Sequence, residues 1–237
     1  MQVPKTDNHH KMYINDDGKR VMRITEVIKV LAKDQLITWA NMLGFKGIDY
    51  KKELNRTANI GTMLHGIIEQ YMDPHQLAVV DYDAYDVYGF QSRLEASNAI
   101  NSFFKWFETI KDRYHVKFTE QVVIGKDLGG TIDCGIDGFK DPDKVIFVDY
   151  KTSPSFYLTQ FLQLCGYVKI YEEKYGADTV EAVMVVLADK KHGNKARARL
   201  IPRSKLEMIM ICFDCLYNTA VATKTLNNSW YSLTEEV

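Results

Sequence analysis

Thr131-Ile132-Asp133-Cys134-Gly135-Ile136 and Lys144-Val145-Ile146-Phe147-Val148-Asp149-Tyr150-Lys151 read as two successive strands. Between them, Asp137-Gly138-Phe139-Lys140-Asp141-Pro142-Asp143 is turn-rich and suits a reversal that lays the strands side by side. Side chains on a strand alternate faces, so Asp149 and Lys151 point the same way, and the reversal brings Asp133 alongside them. The apolar run Val145 to Val148 marks a buried strand, and buried charge needs a reason.

Working outward, Phe118 to Ile124 reads as a strand preceding this pair, which gives a three-strand antiparallel meander. A helix follows from about Ser155 to Lys174, with Phe161, Leu164, Cys165, Val168 and Tyr171 as its core face. Val180 to Leu187 is β-branched and apolar enough to be buried on both sides, and Ala198 to Ile201 is a further strand. Ser204-Lys205-Leu206-Glu207 has the capping-box pattern of a closing helix. Upstream the period is helical. One broken or two short helices run from Thr25 to Gly44, a third begins near Gly61 and ends at Asp73-Pro74, and a long one spans about Asp83 to Tyr114. The expectation is an α/β protein with a small mixed sheet flanked by helices. A loose leader (1–20) is followed by a single domain (21–237), whose helical part covers about 21–115 and whose sheet-bearing core covers 116–237.

With 237 residues, 46% of them hydrophobic and 12% aromatic, the chain can build one substantial core and is not disordered in composition. A net charge of −1 argues against general stickiness for nucleic acid but leaves room for a local basic groove. No apolar run reaches the roughly 20 residues of a membrane span, and Met1 to Lys11 lacks the apolar core of a secretory signal. Four cysteines without paired spacing fit a reducing compartment, so a cytoplasmic protein with no membrane contact is expected.

Two carboxylates about 4 Å apart repel by roughly 4 kcal/mol at an effective dielectric of 20. A divalent cation between Asp133 and Asp149 removes that cost and leaves Lys151 free to act on a bound water, which is the signature of a metal-dependent hydrolase. Taken alone, Asp-x-Lys on a strand is more often a surface ion pair; the apolar flank and the nearby Asp133 favour the catalytic reading. His65 and Glu69, at i and i+4, can be a helix-surface pair or two ligands of a zinc site; further His or Cys residues at zinc spacing do not stand out, which favours His65 as a metal ligand and Glu69 as structural.

Four motifs stand in order: Gly61-Thr62-Met63-Leu64-His65 with Glu69; Thr131-Ile132-Asp133; Asp149-Tyr150-Lys151-Thr152-Ser153; and Gln163-Leu164-Cys165-Gly166-Tyr167. Together, over roughly Thr25 to Tyr171, they resemble the RecB-like branch of the PD-(D/E)XK nuclease superfamily. The spacing is nearest to the family of mitochondrial genome maintenance exonucleases and related phage exonucleases. The resemblance implies a restriction-endonuclease-like core with an N-terminal helical cap or arch. It also implies a metal-dependent DNA exonuclease acting on single-stranded ends in phage or bacterial replication, recombination or repair. Alternatives are a double-strand end-resecting exonuclease or structure-selective endonuclease of the same fold, or a non-catalytic DNA-binding module. By resemblance, Asp133, Asp149, His65 and the Tyr150 backbone carbonyl hold Mg²⁺ or Mn²⁺, Lys151 orients the water, and Gln163 and Tyr167 support the site.

Glu120, in phase with Phe118 and Val122, is either an inward residue held by a partner or a member of the site, as a glutamate from this region is in several relatives. Gln160 is expected on the polar stripe of Gln163 and Tyr167. An iron–sulfur cluster is not expected, because no cysteine precedes Cys134 and Cys212 and Cys215 lie in a helical pattern. Lys190, Lys191, Lys195, Arg197, Arg199, Arg203 and Lys205 are the densest positive stretch. They form either a solvated hairpin or, given a nuclease core, a track for DNA phosphates. Arg93, Lys105, Lys111 and Arg113 on the long helix are a second candidate, and Trp39, Tyr71, Tyr85 and Tyr88 are candidates for base stacking.

Overall fold

A computed structural model of the protein describes residues 12–31, 34–72 and 89–233. Tyr85 and Tyr88 lie outside the described residues, as do the expected helix end at Asp73-Pro74 and the expected helix start at Asp83. The chain is α/β, with a mixed, open six-stranded sheet flanked by helices on both faces.

The meander forms as expected. β2 (Val116–Ile124), β3 (Leu128–Asp137) and β4 (Val145–Lys151) are antiparallel neighbours. Helix α5 (Leu158–Tyr175) crosses over to β5 (Val180–Leu187), which runs parallel to β4, and β6 (Arg197–Pro202) returns antiparallel at the edge. A short β1 (Met22–Arg23), not expected from the sequence, pairs parallel with Leu128 and Gly129 of β3. Two residues carry too little periodicity to register as a strand. α1 (Ile24–Ile28) follows it directly.

Alternating side chains divide the core in two. Val145 and Phe147 of β4 with Val183, Val185 and Leu187 of β5 pack under α1, α5 and α6 (Glu207–Leu233). Ile146, Val148 and Tyr150 with Ala182, Met184 and Val186 pack on the other face, under α3 (Tyr50–Met72) and α4 (Gly89–Phe107). Of the helices expected to form a cap or arch, α3 and α4 pack on the sheet: Ile60, Leu64, Ile68 and Phe103 are buried against it.

Several boundaries differ from expectation. α2 (Asp34–Phe45) includes Gly44, and the left-handed turn falls on Gly47 (φ +69°), where glycine avoids a Cβ clash. α3 begins at Tyr50, before Gly61, because Asp49 Oδ1 accepts the Lys51 N–H at 2.8 Å and caps a run of good helix formers. α4 ends at Phe107, so Lys111 and Arg113 lie in the turns beyond it. At the last helix a 3-10 turn, Arg203–Lys205, intervenes before Glu207 and displaces the expected capping box. Residues 12–20, expected as loose leader, form a hairpin bridged between Ile14 and Arg20, and buried Tyr13 reaches Thr131 Oγ1 through its hydroxyl at 2.9 Å. Among the described residues no helix is long and apolar enough to cross a membrane.

Candidate active site

The site arises where β3 and β4 part. Their ladder runs from Asp137↔Val145 to Cys134↔Val148 and stops, while β1 takes up β3 again only at Gly129. Continuing the register by one residue sets Asp133 opposite Asp149. Between Gly130 and Asp133, β3 keeps β2 on one side and has no strand partner on the other among the described residues. The fork is filled by polar side chains. Tyr150 N–H, released from the ladder, donates to Asp133 Oδ2 at 3.1 Å.

Alternation also breaks here. Ile132 packs on the α5 side, yet Cys134, two residues on, packs on the α3–α4 side. Across the ladder, between the pairs Gln121↔Ile132 and Thr119↔Cys134, sits Glu120 with φ +44°. A left-handed backbone costs a residue with a Cβ roughly 1–2 kcal/mol. Glu120 therefore leaves the extended phase it was expected to share with Phe118. Its Oε1 comes within 4.0 Å of His65 Nδ1 on α3, and Asp133 Oδ2 lies 3.5 Å from the same nitrogen. One ligand atom from each of His65, Glu120 and Asp133 fits within 4.8 Å of the others.

The histidine's second nitrogen fixes its state. His65 Nε2 is 2.8 Å from the Tyr150 carbonyl oxygen, which can only accept, so Nε2 carries the proton. In the neutral ring, Nδ1 then presents a lone pair to two carboxylates, an arrangement that a cation resolves. The Tyr150 carbonyl, expected as a metal ligand, is engaged by this bond.

Asp149 is 1% exposed and is not one of the trio. Its Oδ1 accepts from Lys151 Nζ at 2.6 Å, and its Oδ2 is buried with no hydrogen-bond partner among the described residues. Burial, with the Asp133 charge adding to it, pushes the Asp149 carboxyl up to about 6 against the pull of Lys151. Burial pulls the Lys151 ammonium down, but Asp149, Asp133 and Glu120 outweigh it and the net shift is upward. Lys151 is thus held as a cation. An orphaned buried carboxylate oxygen, a histidine lone pair aimed at acids and an all-oxygen-and-imidazole donor set suit a hard divalent ion.

On α5, Gln163 Nε2 donates to the Tyr167 hydroxyl at 2.9 Å, so these two act as a unit. Tyr167 is buried with its ring edge against Gly130, where a Cβ would sit 2.4 Å from the ring. Gln160 shares their helix face but bonds elsewhere. It closes the loop before α5, accepting from Tyr157 N–H at 2.9 Å and donating to Ser153 Oγ at 2.8 Å.

The basic stretch is divided by the fold. Lys190 is half-buried beside Glu53, Arg56 and Glu95, and burial holds its ammonium below the usual range. Lys191 and Lys195 are exposed in the loop before β6, and Arg203 pairs with Glu172 at 3.0 Å. Arg197 and Arg199 instead lie over Phe156, 5.7 and 4.6 Å from the ring centre. The sequence reading missed Phe156; its place five residues after Lys151, in the loop that must pass the site, is the signal. In the second basic candidate, Lys105 donates to Gly193 O at 2.6 Å and Lys111 pairs with Glu108 at 2.6 Å. Tyr71 packs edge-on against Phe104 and Phe107 and is 49% exposed. Trp39 is half-buried on α2.

No protein-family model matches the chain, and no curated protein matches it at significance.

Proposed function

We propose that the protein is a divalent-metal-dependent DNA exonuclease with a restriction-endonuclease-like core, hydrolysing phosphodiester bonds from single-stranded ends. The observation that carries this reading is the partnerless Asp149 Oδ2, buried beside Lys151 at the mouth of a strand fork where His65, Glu120 and Asp133 converge. An ion pair kept for stability alone has no use for an orphaned oxygen.

His65 Nδ1, Asp133, Glu120 and Asp149 Oδ2 would hold Mg²⁺ or Mn²⁺. Once bound, such an ion polarises the scissile phosphate and lowers the pKa of a water. The chain's own residues do the rest. The Nε2–H bond to the Tyr150 carbonyl fixes the imidazole so that Nδ1 faces the acids. The Lys151 ammonium, anchored on Asp149 Oδ1, donates to the attacking water and offsets negative charge developing on the phosphoryl oxygens. Gln163 orients the Tyr167 hydroxyl beside Asp133, and the contact with Gly130 keeps that wall of the site close. The order of motifs from His65 to Tyr167, resembling the RecB-like nucleases, agrees with this assignment.

The test is a Mg²⁺ and Mn²⁺ titration on DNA strands labelled at either end, with wild type beside Asp149→Asn and Lys151→Ala. Metal-dependent shortening by wild type and its loss in both variants, with folding retained, is expected. Robust cleavage by either variant refutes the mechanism. Covalently closed single-stranded circles should survive, and their cleavage would assign an endonuclease instead.

A further inference from the structure

The strand registers align a second group of cations with the candidate site. Asp149 of β4 pairs with Val185 of β5, and Val185 pairs with Arg199 of β6. One row on, Lys151 pairs with Leu187, and Leu187 with Arg197. Residues in one row of adjacent strands point to one face, so both arginines project on the α5 side, as Asp149 and Lys151 do. Neighbouring residues confirm that face: Val185, Leu187 and Phe156 all pack in the α5-side core. Two inter-strand steps of about 4.8 Å put each arginine's Cα roughly 10 Å from its counterpart on β4.

The arginines are exposed yet braced. Arg199 lies 4.6 Å over the Phe156 ring and Arg197 at 5.7 Å, and Arg197 Nη2 also donates to the Pro154 carbonyl at 2.7 Å. Neither has an acidic partner among the described residues. Guanidiniums stacked on an aromatic face keep their edges, which carry the N–H donors, turned outward. An exposed arginine that only solubilises an edge strand needs no such brace.

We infer that Arg197 and Arg199, held on Phe156, form a clamp for phosphate groups of the nucleic-acid strand adjacent to the one being cleaved. This rests on the nuclease reading for its ligand, and it makes strand affinity depend on nucleotides flanking the scissile bond. It also separates these two arginines from Lys190, which serves the α3–α4 interface.

The experiment reads binding and cleavage separately. Fluorescence anisotropy of a labelled oligothymidylate, in EDTA and across a KCl series, is measured for wild type, Arg197→Gln/Arg199→Gln and Phe156→Leu. Each phosphate contact to a single strand contributes about 0.7 to the slope of log affinity against log salt, so losing two lowers that slope by about 1.4. At 0.1 M salt the same loss weakens binding about 25-fold. Phe156→Leu keeps both charges and an apolar side chain but removes the ring face, and should weaken binding severalfold with the slope unchanged. In Mg²⁺, the double variant should raise KM and leave kcat at saturating strand nearly intact. Unchanged affinity and slope in the double variant overturn the clamp, whatever the cleavage result. Failure of the nuclease reading is distinct: it shows as absent metal-dependent cleavage by wild type, or as cleavage by Asp149→Asn, while the anisotropy still reports on the clamp.

Discussion

Replacing Asp149 with asparagine should stabilise the metal-free protein while destroying its response to metal. Burial pushes this carboxyl up to about 6 from its ordinary 3.8. That corresponds to about 3 kcal/mol of preference for the protonated form. The sign follows from linkage. Between pH 4 and 6 the folded state binds the proton more tightly than the unfolded chain, so stability falls as pH rises through that window and stays reduced above it. Asparagine resembles the neutral acid and lacks this pH-dependent cost. Lys151, with its side chain 26% exposed, can hydrate in the variant. At pH 7.5 in EDTA, Asp149→Asn should melt up to about 6–12 °C above wild type, and the gap should close towards pH 4. Metal reverses the order. At 100 times its Kd an ion stabilises wild type by about 2.7 kcal/mol, and the variant, deprived of one ligand oxygen, gains little. Differential scanning fluorimetry over a pH and Mg²⁺ grid measures all of this. A variant less stable than wild type in EDTA at pH 7.5, or an equal metal-induced rise in both proteins, would refute the reasoning.

Glu120→Gly should relieve the left-handed backbone, raising metal-free stability by about 1 kcal/mol while weakening the metal-induced thermal shift; Glu120→Gln should weaken the shift without the gain. Gly130→Ala drives a methyl into the Tyr167 ring, with 2.4 Å available, and should cost about 1–3 kcal/mol, read as a lower denaturation midpoint. His65→Ala removes both the Nδ1 donor and the brace on the Tyr150 carbonyl, so isothermal titration should show Mn²⁺ affinity reduced at least tenfold, in the range typical of a lost ligand or its support.

The meander, crossover helix and β5 were legible because each is written as a run of one period: Val180 to Leu187 is apolar at nearly every position, and its bounds agree with the strand observed. Asp133, Asp149 and Lys151 were legible as a group because two-residue alternation and one reversal suffice to bring them together. What escaped depends on contacts distant in sequence. β1 exists only because Leu128 and Gly129 offer an open edge. The hairpin at 12–20 is held by Tyr13 on Thr131, a contact across 118 positions. Glu120 was assigned a phase by counting along an extended strand, and one residue at φ +44° invalidates the count. The pairing of Arg197 and Arg199 with Phe156 needed the β5–β6 register, which nothing local in the sequence specifies.

Three departures from regular structure fall together at the site, and each opposes stability. The β3–β4 ladder is interrupted, Glu120 adopts a conformation disfavoured for a residue with a Cβ, and Asp149 keeps a buried oxygen unsatisfied. Elsewhere β4 and β5 are paired along their full length and buried on both faces, and that continuous core is what the site is set against. Separately the strained backbone and the orphaned carboxylate amount to about 4–5 kcal/mol, a large fraction of a typical domain's net stability. A sequence under selection for folding alone would remove both with single substitutions such as Glu120→Gly and Asp149→Asn. Their coexistence around one imidazole lone pair is explained if a divalent cation offsets them together, for then the strain and the unpaired charge become binding free energy when the ion arrives.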